Sequence, residues 1–105
     1  MKIAEQEKSR ENDDTQNIAL TTGCTSVVVL VTKDVIYCAN AGDSRSVLAK
    51  KGPNDTVIAE PLSEDHKPAN EEELKRIIAA GGHVEDNRVN GSLALSRSFG
   101  DFEYK

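Results

Sequence analysis

The chain has 105 residues, a formal net charge of −5, 37% hydrophobic and 30% charged residues, which fits one domain or part of one with a modest core. An acidic balance with no basic stripe excludes a nucleic-acid phosphate partner and gives no hold on an anionic membrane. The longest apolar run, 27–31, is far short of a membrane span, and Met1-Lys2-Ile3-Ala4 is followed at once by Glu5, Glu7, Lys8 and Arg10, so no signal-peptide core is present and an intracellular setting, cytoplasmic or nuclear, is expected.

Residues 1–17 are charge- and amide-rich, and their composition suits a disordered arm or the end of a helix. The folded part is expected over 18–105, with order setting in near Gly23. Residues 25–32 form a β-branched run with apolar side chains on both faces, which predicts a buried strand. Lys33-Asp34 breaks it before a second strand, Val35-Ile36-Tyr37-Cys38-Ala39. Residues 40–43 are turn formers, and Ser46-Val47-Leu48-Ala49 is expected to continue as a third strand in an antiparallel meander. Gly52-Pro53-Asn54-Asp55 is a loop, and 56–62 reads as a fourth strand.

Asn70 is placed as a helix N-cap, with Glu73 spaced for a reciprocal bond and 71–73 acidic at the positive end of the dipole. Leu74, Ile77 and Ile78 share one helical face, so a single helix is predicted over about 70–81. Gly81-Gly82 ends it, and Asn90-Gly91 between Val89 and Leu93 predicts a tight hairpin. The fold class is α/β, of the α+β kind, built on antiparallel strands.

Cys24 and Cys38 have neither the spacing nor the histidine companions of a metal pair, and lie in apolar runs where a reduced thiol acts as a small core hydrophobe. Asn54-Asp55-Thr56 and Asn90-Gly91-Ser92 match a glycosylation sequon by chance in an intracellular chain. Gly42-Asp43-Ser44 after a strand invites a serine-esterase reading. That chemistry needs a histidine base with an acid three residues before it, and Ser63 and Ala80 stand there before His66 and His83. Asp43 itself has two readings: a hard ligand for Mg²⁺ or Mn²⁺ held on a glycine turn, or a turn residue bonding its own backbone or pairing with Arg45. Arg88, just before the Asn-Gly turn, is either a fork for a phosphate or a surface arginine paired with Glu85 or Asp86. His66 and His83 are turn or surface residues, and the acidic run 71–73 is a solvated helix start.

Gly23-Cys24-Thr25, Asn40-Ala41-Gly42-Asp43-Ser44-Arg45, Leu62-Ser63-Glu64-Asp65-His66-Lys67-Pro68, Arg88-Val89-Asn90-Gly91 and Leu93-Ala94-Leu95-Ser96-Arg97 follow one another in order. Together they resemble the metal-dependent protein serine/threonine phosphatases of type 2C (PPM) over about residues 23–105. The resemblance implies a partial α-β-β-α sandwich. It also implies hydrolysis of phosphoserine and phosphothreonine proteins by water activated between two Mg²⁺ or Mn²⁺ ions. By position, Asp43 resembles a ligand of a third, weaker ion near that centre. Residues from about 68 to 90 resemble the helix-and-flap element beside it, which makes Arg88 a substrate contact.

The family's Asp-Gly-His-Gly loop and Asp-Gly-x-Trp-Asp motif are not in this sequence, which contains no Asp-Gly pair and no tryptophan. One carboxylate cannot hold a dinuclear centre, which needs several oxygens per ion. The chain alone is therefore expected to be catalytically inactive, an internal portion of a phosphatase domain whose strands lack a packing layer and tend to associate. The alternative is a non-catalytic, pseudophosphatase-like protein-binding module, in which a partner chain completes the fold.

Overall fold

Short runs of β-branched residues between glycine, proline and asparagine steps favour short paired strands, and that is what forms. The computed structural model describes residues 18–105; the polar arm expected over 1–17 lies outside the described residues. The elements are α1 (Ile18–Thr21), β1 (Gly23–Cys24), β2 (Ser26–Val31), β3 (Ile36–Ala41), β4 (Val47–Lys51), β5 (Val57–Pro61), α2 (Glu71–Ala79), β6 (Val84–Glu85), β7 (Arg88–Val89) and β8 (Phe99–Gly100). Mixed α and β content, antiparallel pairing and one substantial helix agree with the expected fold class.

The strands form four two-stranded ladders among the described residues: β1 with β8, β2 with β3, β4 with β5, and β6 with β7. The three-stranded meander does not form. Gly42, at φ 120, turns the chain after β3, and the segment beyond it bonds forward instead of back. Ser46 donates its N–H to Ser63 Oγ at 3.0 Å, and Leu62 donates to the Ser46 carbonyl at 2.9 Å, so β4 takes β5 as its partner. Its register runs from Val47↔Pro61 to Lys51↔Val57.

The sequence pattern predicts a buried β2, and the strand is not buried. Val28 is 58% exposed on one face of the strand and Val31 68% on the other. Apolar side chains on both faces need a layer on each side, and within the described residues neither face of the β2–β3 pair is covered. Cys24 is likewise exposed and Cys38 half-buried, both as free thiols, so neither is a core residue. The buried hydrophobic residues are Ile77 (6% exposed) and Val89 (8%), which places the small core between α2 and the β6–β7 hairpin.

The helix begins and ends where its sequence signals lie. Ala80 closes it, with Gly82 N–H donating to Ile77 O at 2.9 Å and Gly81 N–H to Ile78 O at 3.0 Å, a Schellman arrangement with Gly81 at φ 87. At the other end Asn70 stands at the N-cap position, yet its side chain makes no capping bond. It donates to the Asp65 carbonyl at 2.7 Å instead, and Glu73 is taken by arginines, so the reciprocal cap is absent. Of the helix's apolar face, Ile77 is buried, Leu74 half-buried and Ile78 exposed. The Asn90-Gly91 turn is tight as expected, both residues having positive φ, and Val89 and Leu93 bridge across it.

β1 and β8 close the chain onto itself through two glycines. A Cβ on Gly23 would lie 2.0 Å from Asp101 Oδ2, and one on Gly100 would lie 2.3 Å from the Thr22 carbonyl. Asp101 is buried there in a left-handed conformation, donating its N–H to Thr22 O at 3.0 Å.

Candidate functional site

The turn after β3 is buried at Gly42 and tied on several sides. Gly42 donates its N–H to His66 Nδ1 at 3.0 Å, and its carbonyl accepts from His66 N–H at 2.8 Å. Asn40 Nδ2 bonds the Gly42 carbonyl at 3.1 Å and the Glu64 carbonyl at 2.8 Å. Thr25 and Ser44 share a hydroxyl bond of 2.7 Å, which accounts for Ser44 as a packing contact of the turn. A Cβ on Gly42 would meet Thr25 Cγ2 at 2.3 Å, so only glycine fits beneath β2 at this φ.

Asp43 is half-buried on this fixed turn, and its carboxylate makes no hydrogen bond or ion pair with any described residue. Neither structural role open to it is filled: the carboxylate bonds no backbone N–H of the turn and does not pair with Arg45. Arg45 forks onto Asp65 instead, Nε to Oδ1 at 2.8 Å and Nη2 to Oδ2 at 2.9 Å, with Lys67 3.9 Å from the same carboxylate. The Arg45 fork lowers the pKa of Asp65, and Asp65 in turn raises that of Arg45. This pair straps the 63–68 loop against the strand end and leaves Asp43 without Arg45 as a partner.

The helix start is not simply solvated. Glu73 is 5% exposed and accepts Arg97 Nε and Nη2 at 2.8–3.1 Å together with Arg76 Nη2 at 2.8 Å. Burial alone pushes the Glu73 carboxyl up, but the bonds from Arg97 and Arg76 outweigh it and bring it down to about 2. Arg76 also reaches the Ser96 carbonyl at 2.6 Å. A cavity of about 420 Å³ between α2 and the following segment is lined by Arg76, Ile77, Val89, Asn90, Leu93 and Arg97, and neither Asp43 nor Arg88 faces it.

Arg88 stands opposite Glu85 in the β6–β7 ladder without an ion pair to it or to Asp86. Its Nη1 donates to the Ser92 carbonyl at 2.7 Å, an exposed bond that spans the Asn90-Gly91 turn and leaves other guanidinium donors free. No hydrogen bond or ion pair joins Arg88 to Asp43 or to the residues around Asp43 among those described. His83 is exposed, 3.8 Å from Glu85, a surface residue as expected.

The residues present do not fit a metal pair: no three His, Cys, Asp or Glu side chains gather among the described residues, and Asp43 offers one carboxylate. Sequence reasoning missed the Glu73–Arg97 and Arg45–Asp65 pairs and the His66 clamp, because each joins residues 20 or more positions apart. No local period marks such a pair.

The sequence matches Protein phosphatase 2C over residues 1–105. Among curated relatives, Protein phosphatase 2C homolog 3 of Schizosaccharomyces pombe is 59% identical over 93 residues, 89% of this chain and 21% of that protein. Protein phosphatase 2C homolog 2 of the same organism is 62% identical over 84 residues, 79% of this chain and 21% of the relative. Probable protein phosphatase 2C T23F11.1 of Caenorhabditis elegans is 59% identical over 83 residues, 79% and 22%. The chain therefore spans about a fifth of the length of the relatives it matches. With a family match along its whole length, it belongs to the protein phosphatase 2C family.

Proposed function

We propose that residues 18–105 carry the scaffold and flap of a metal-dependent protein serine/threonine phosphatase, with Asp43 as one ligand of a peripheral Mg²⁺ or Mn²⁺ and Arg88 as a contact for the phosphorylated substrate. The observation that carries the reading is the Asp43 carboxylate, left without a partner among the described residues on a turn whose backbone is fixed by His66, Asn40 and Gly42. A hard carboxylate held still with open lone pairs is what an oxygen-seeking cation selects. When bound, the family's metal ions supply activated water for attack on a phosphoserine or phosphothreonine. This chain's own part is to offer one oxygen at Asp43 and a planar donor set at Arg88.

The described residues offer one carboxylate where a dinuclear centre needs several oxygens, and we expect the chain alone to be inactive. In the chain of 105 residues, phosphopeptide hydrolysis is expected to stay at background with Mn²⁺ present. Chelator-sensitive turnover by the purified chain would overturn that. The test of the residue roles replaces the matching segment of the S. pombe homolog 3 with residues 23–105. The graft is expected to keep Mn²⁺-dependent hydrolysis. In it, Asp43→Asn should raise the Mn²⁺ needed for half-activity roughly tenfold, and Arg88→Ala should raise KM by about tenfold more than it lowers kcat. A graft indifferent to both substitutions would sink both assignments. No helix among the described residues is long and apolar enough to cross a membrane.

A further inference from the structure

We infer that His66 is the positioning residue for Asp43, acting through the buried Gly42 amide; the inference rests on the reading of Asp43 as a cation ligand. Gly42 is held at both of its polar backbone atoms by the same residue. Its N–H donates to His66 Nδ1 at 3.0 Å, and its C=O accepts from the His66 N–H at 2.8 Å. The ring is the acceptor for a buried N–H, and a buried N–H left without one is expensive. With Nδ1 accepting, the neutral ring carries its proton on Nε2. The Gly42 N–H lies in the peptide plane that enters Gly42 and its C=O in the plane that leads on to Asp43. His66 therefore fixes the planes on both sides of Gly42, the ring the first and the backbone the second, and with them the direction in which the Asp43 carboxylate leaves the turn.

The clamp continues away from the turn. His66 accepts the Ser96 N–H on its carbonyl at 3.1 Å, and Arg97, the next residue, forks onto Glu73 of α2. A Cβ on Gly42 would also lie 3.2 Å from the Arg97 carbonyl, so this segment packs directly against the turn. His66 is thus the joint through which α2 and the segment after the β6–β7 hairpin reach Asp43. Asn40 braces the Gly42 carbonyl as well, but only His66 serves the N–H.

The experiment is amide hydrogen exchange, resolved to single residues, on the full chain at low micromolar concentration with and without Mn²⁺. His66→Ala should speed Gly42 exchange about 10- to 100-fold, the range set by a lost buried hydrogen bond. His66→Asn, whose amide oxygen takes the Nδ1 position, should restore it to within about threefold. Mn²⁺ should slow exchange at residues 43–45 in the wild type and not in Asp43→Asn. The Mn²⁺ concentration for half of that effect should rise roughly tenfold in His66→Ala and stay put in His66→Asn. Exchange in the β4–β5 ladder reports global unfolding. If His66→Ala loses that protection too, His66→Gln replaces it, since its amide lies at the Nε2 position and leaves Gly42 without an acceptor. An unprotected Gly42 in the wild type, a Gly42 rate unchanged by His66→Ala or His66→Gln, or a His66→Asn rate as fast as theirs overturns the positioning role. If wild type and Asp43→Asn respond alike to Mn²⁺, the cation reading of Asp43 falls, and the Gly42 rates still decide whether His66 holds the turn.

Discussion

Glu73 shows how one residue can be mislabelled by its neighbours in sequence. In the run Glu71-Glu72-Glu73 it reads as part of a solvated helix start, and Glu71 does sit in solvent, paired with Lys75 at 2.6 Å. Glu73 faces inward, where burial would favour its neutral form and the fork from Arg97 with the single bond from Arg76 overrides that. Its folded pKa of about 2 lies below the ordinary 4.5, so the unfolded chain takes up the proton first. The stability this group contributes is therefore whole above about pH 4.5 and is lost as pH falls towards 2, on the order of 3 kcal/mol at neutral pH. Glu73→Gln keeps the shape but leaves two arginines facing a neutral group, and it should lose about 2–4 kcal/mol at pH 7. It should also flatten the acid limb between pH 4.5 and 2. Urea unfolding followed by helical circular dichroism across that range checks both, and a wild type and variant with parallel acid profiles would refute the assignment. The sequence could show that 71–73 was acidic at a helix start; it could not show which carboxylate an arginine 24 positions away would seize.

At the scale of elements, backbone chemistry was legible and partnership was not. The helix end, the Asn90-Gly91 turn and the Gly52 loop follow from residues that tolerate left-handed φ, a local property that a short window contains. Asp86-Asn87, both at positive φ, carry the β6–β7 turn by the same rule, a signal that the sequence also contains. The meander failed because adjacency in sequence says nothing about which edge a strand will find, and the bonds from Ser46 and Leu62 decided that. Two glycines, both at positive φ, should now behave differently. Gly81, at φ 87, has nothing within 4 Å of the place an added methyl would occupy, so Gly81→Ala should cost only its backbone strain, about 1–2 kcal/mol. Gly42, at φ 120, adds a collision with Thr25 at 2.3 Å, and Gly42→Ala should cost about 3 kcal/mol or more while displacing the Asp43 turn. Thermal unfolding ranks the pair; equal losses would show that the contact under β2 yields freely.

For the molecule as a whole, the deciding fact is where apolar surface is left. The core between α2 and the β6–β7 hairpin holds Ile77 and Val89, while Val28, Leu30, Val31, Tyr37 and Val57 are each more than half exposed. β2 alternates, so Val28 and Leu30 lie on one face and Val29 and Val31 on the other, and both faces offer aliphatic surface to water. Each fully covered Val or Leu would contribute roughly 1.5–3 kcal/mol, a strong drive towards any second surface of similar character. The pair also has only two strands, fewer than an independent sheet needs. The purified chain should therefore associate as its concentration rises, eluting progressively earlier in size-exclusion chromatography. Val28→Lys with Leu30→Lys charges one face, and Val29→Lys with Val31→Lys the other. Each double variant should weaken association in part, and the four changes together should keep the chain monomeric. If association persists with both faces charged, the drive lies elsewhere, at the open strand edges, where backbone N–H and C=O groups pair whatever the side chains carry.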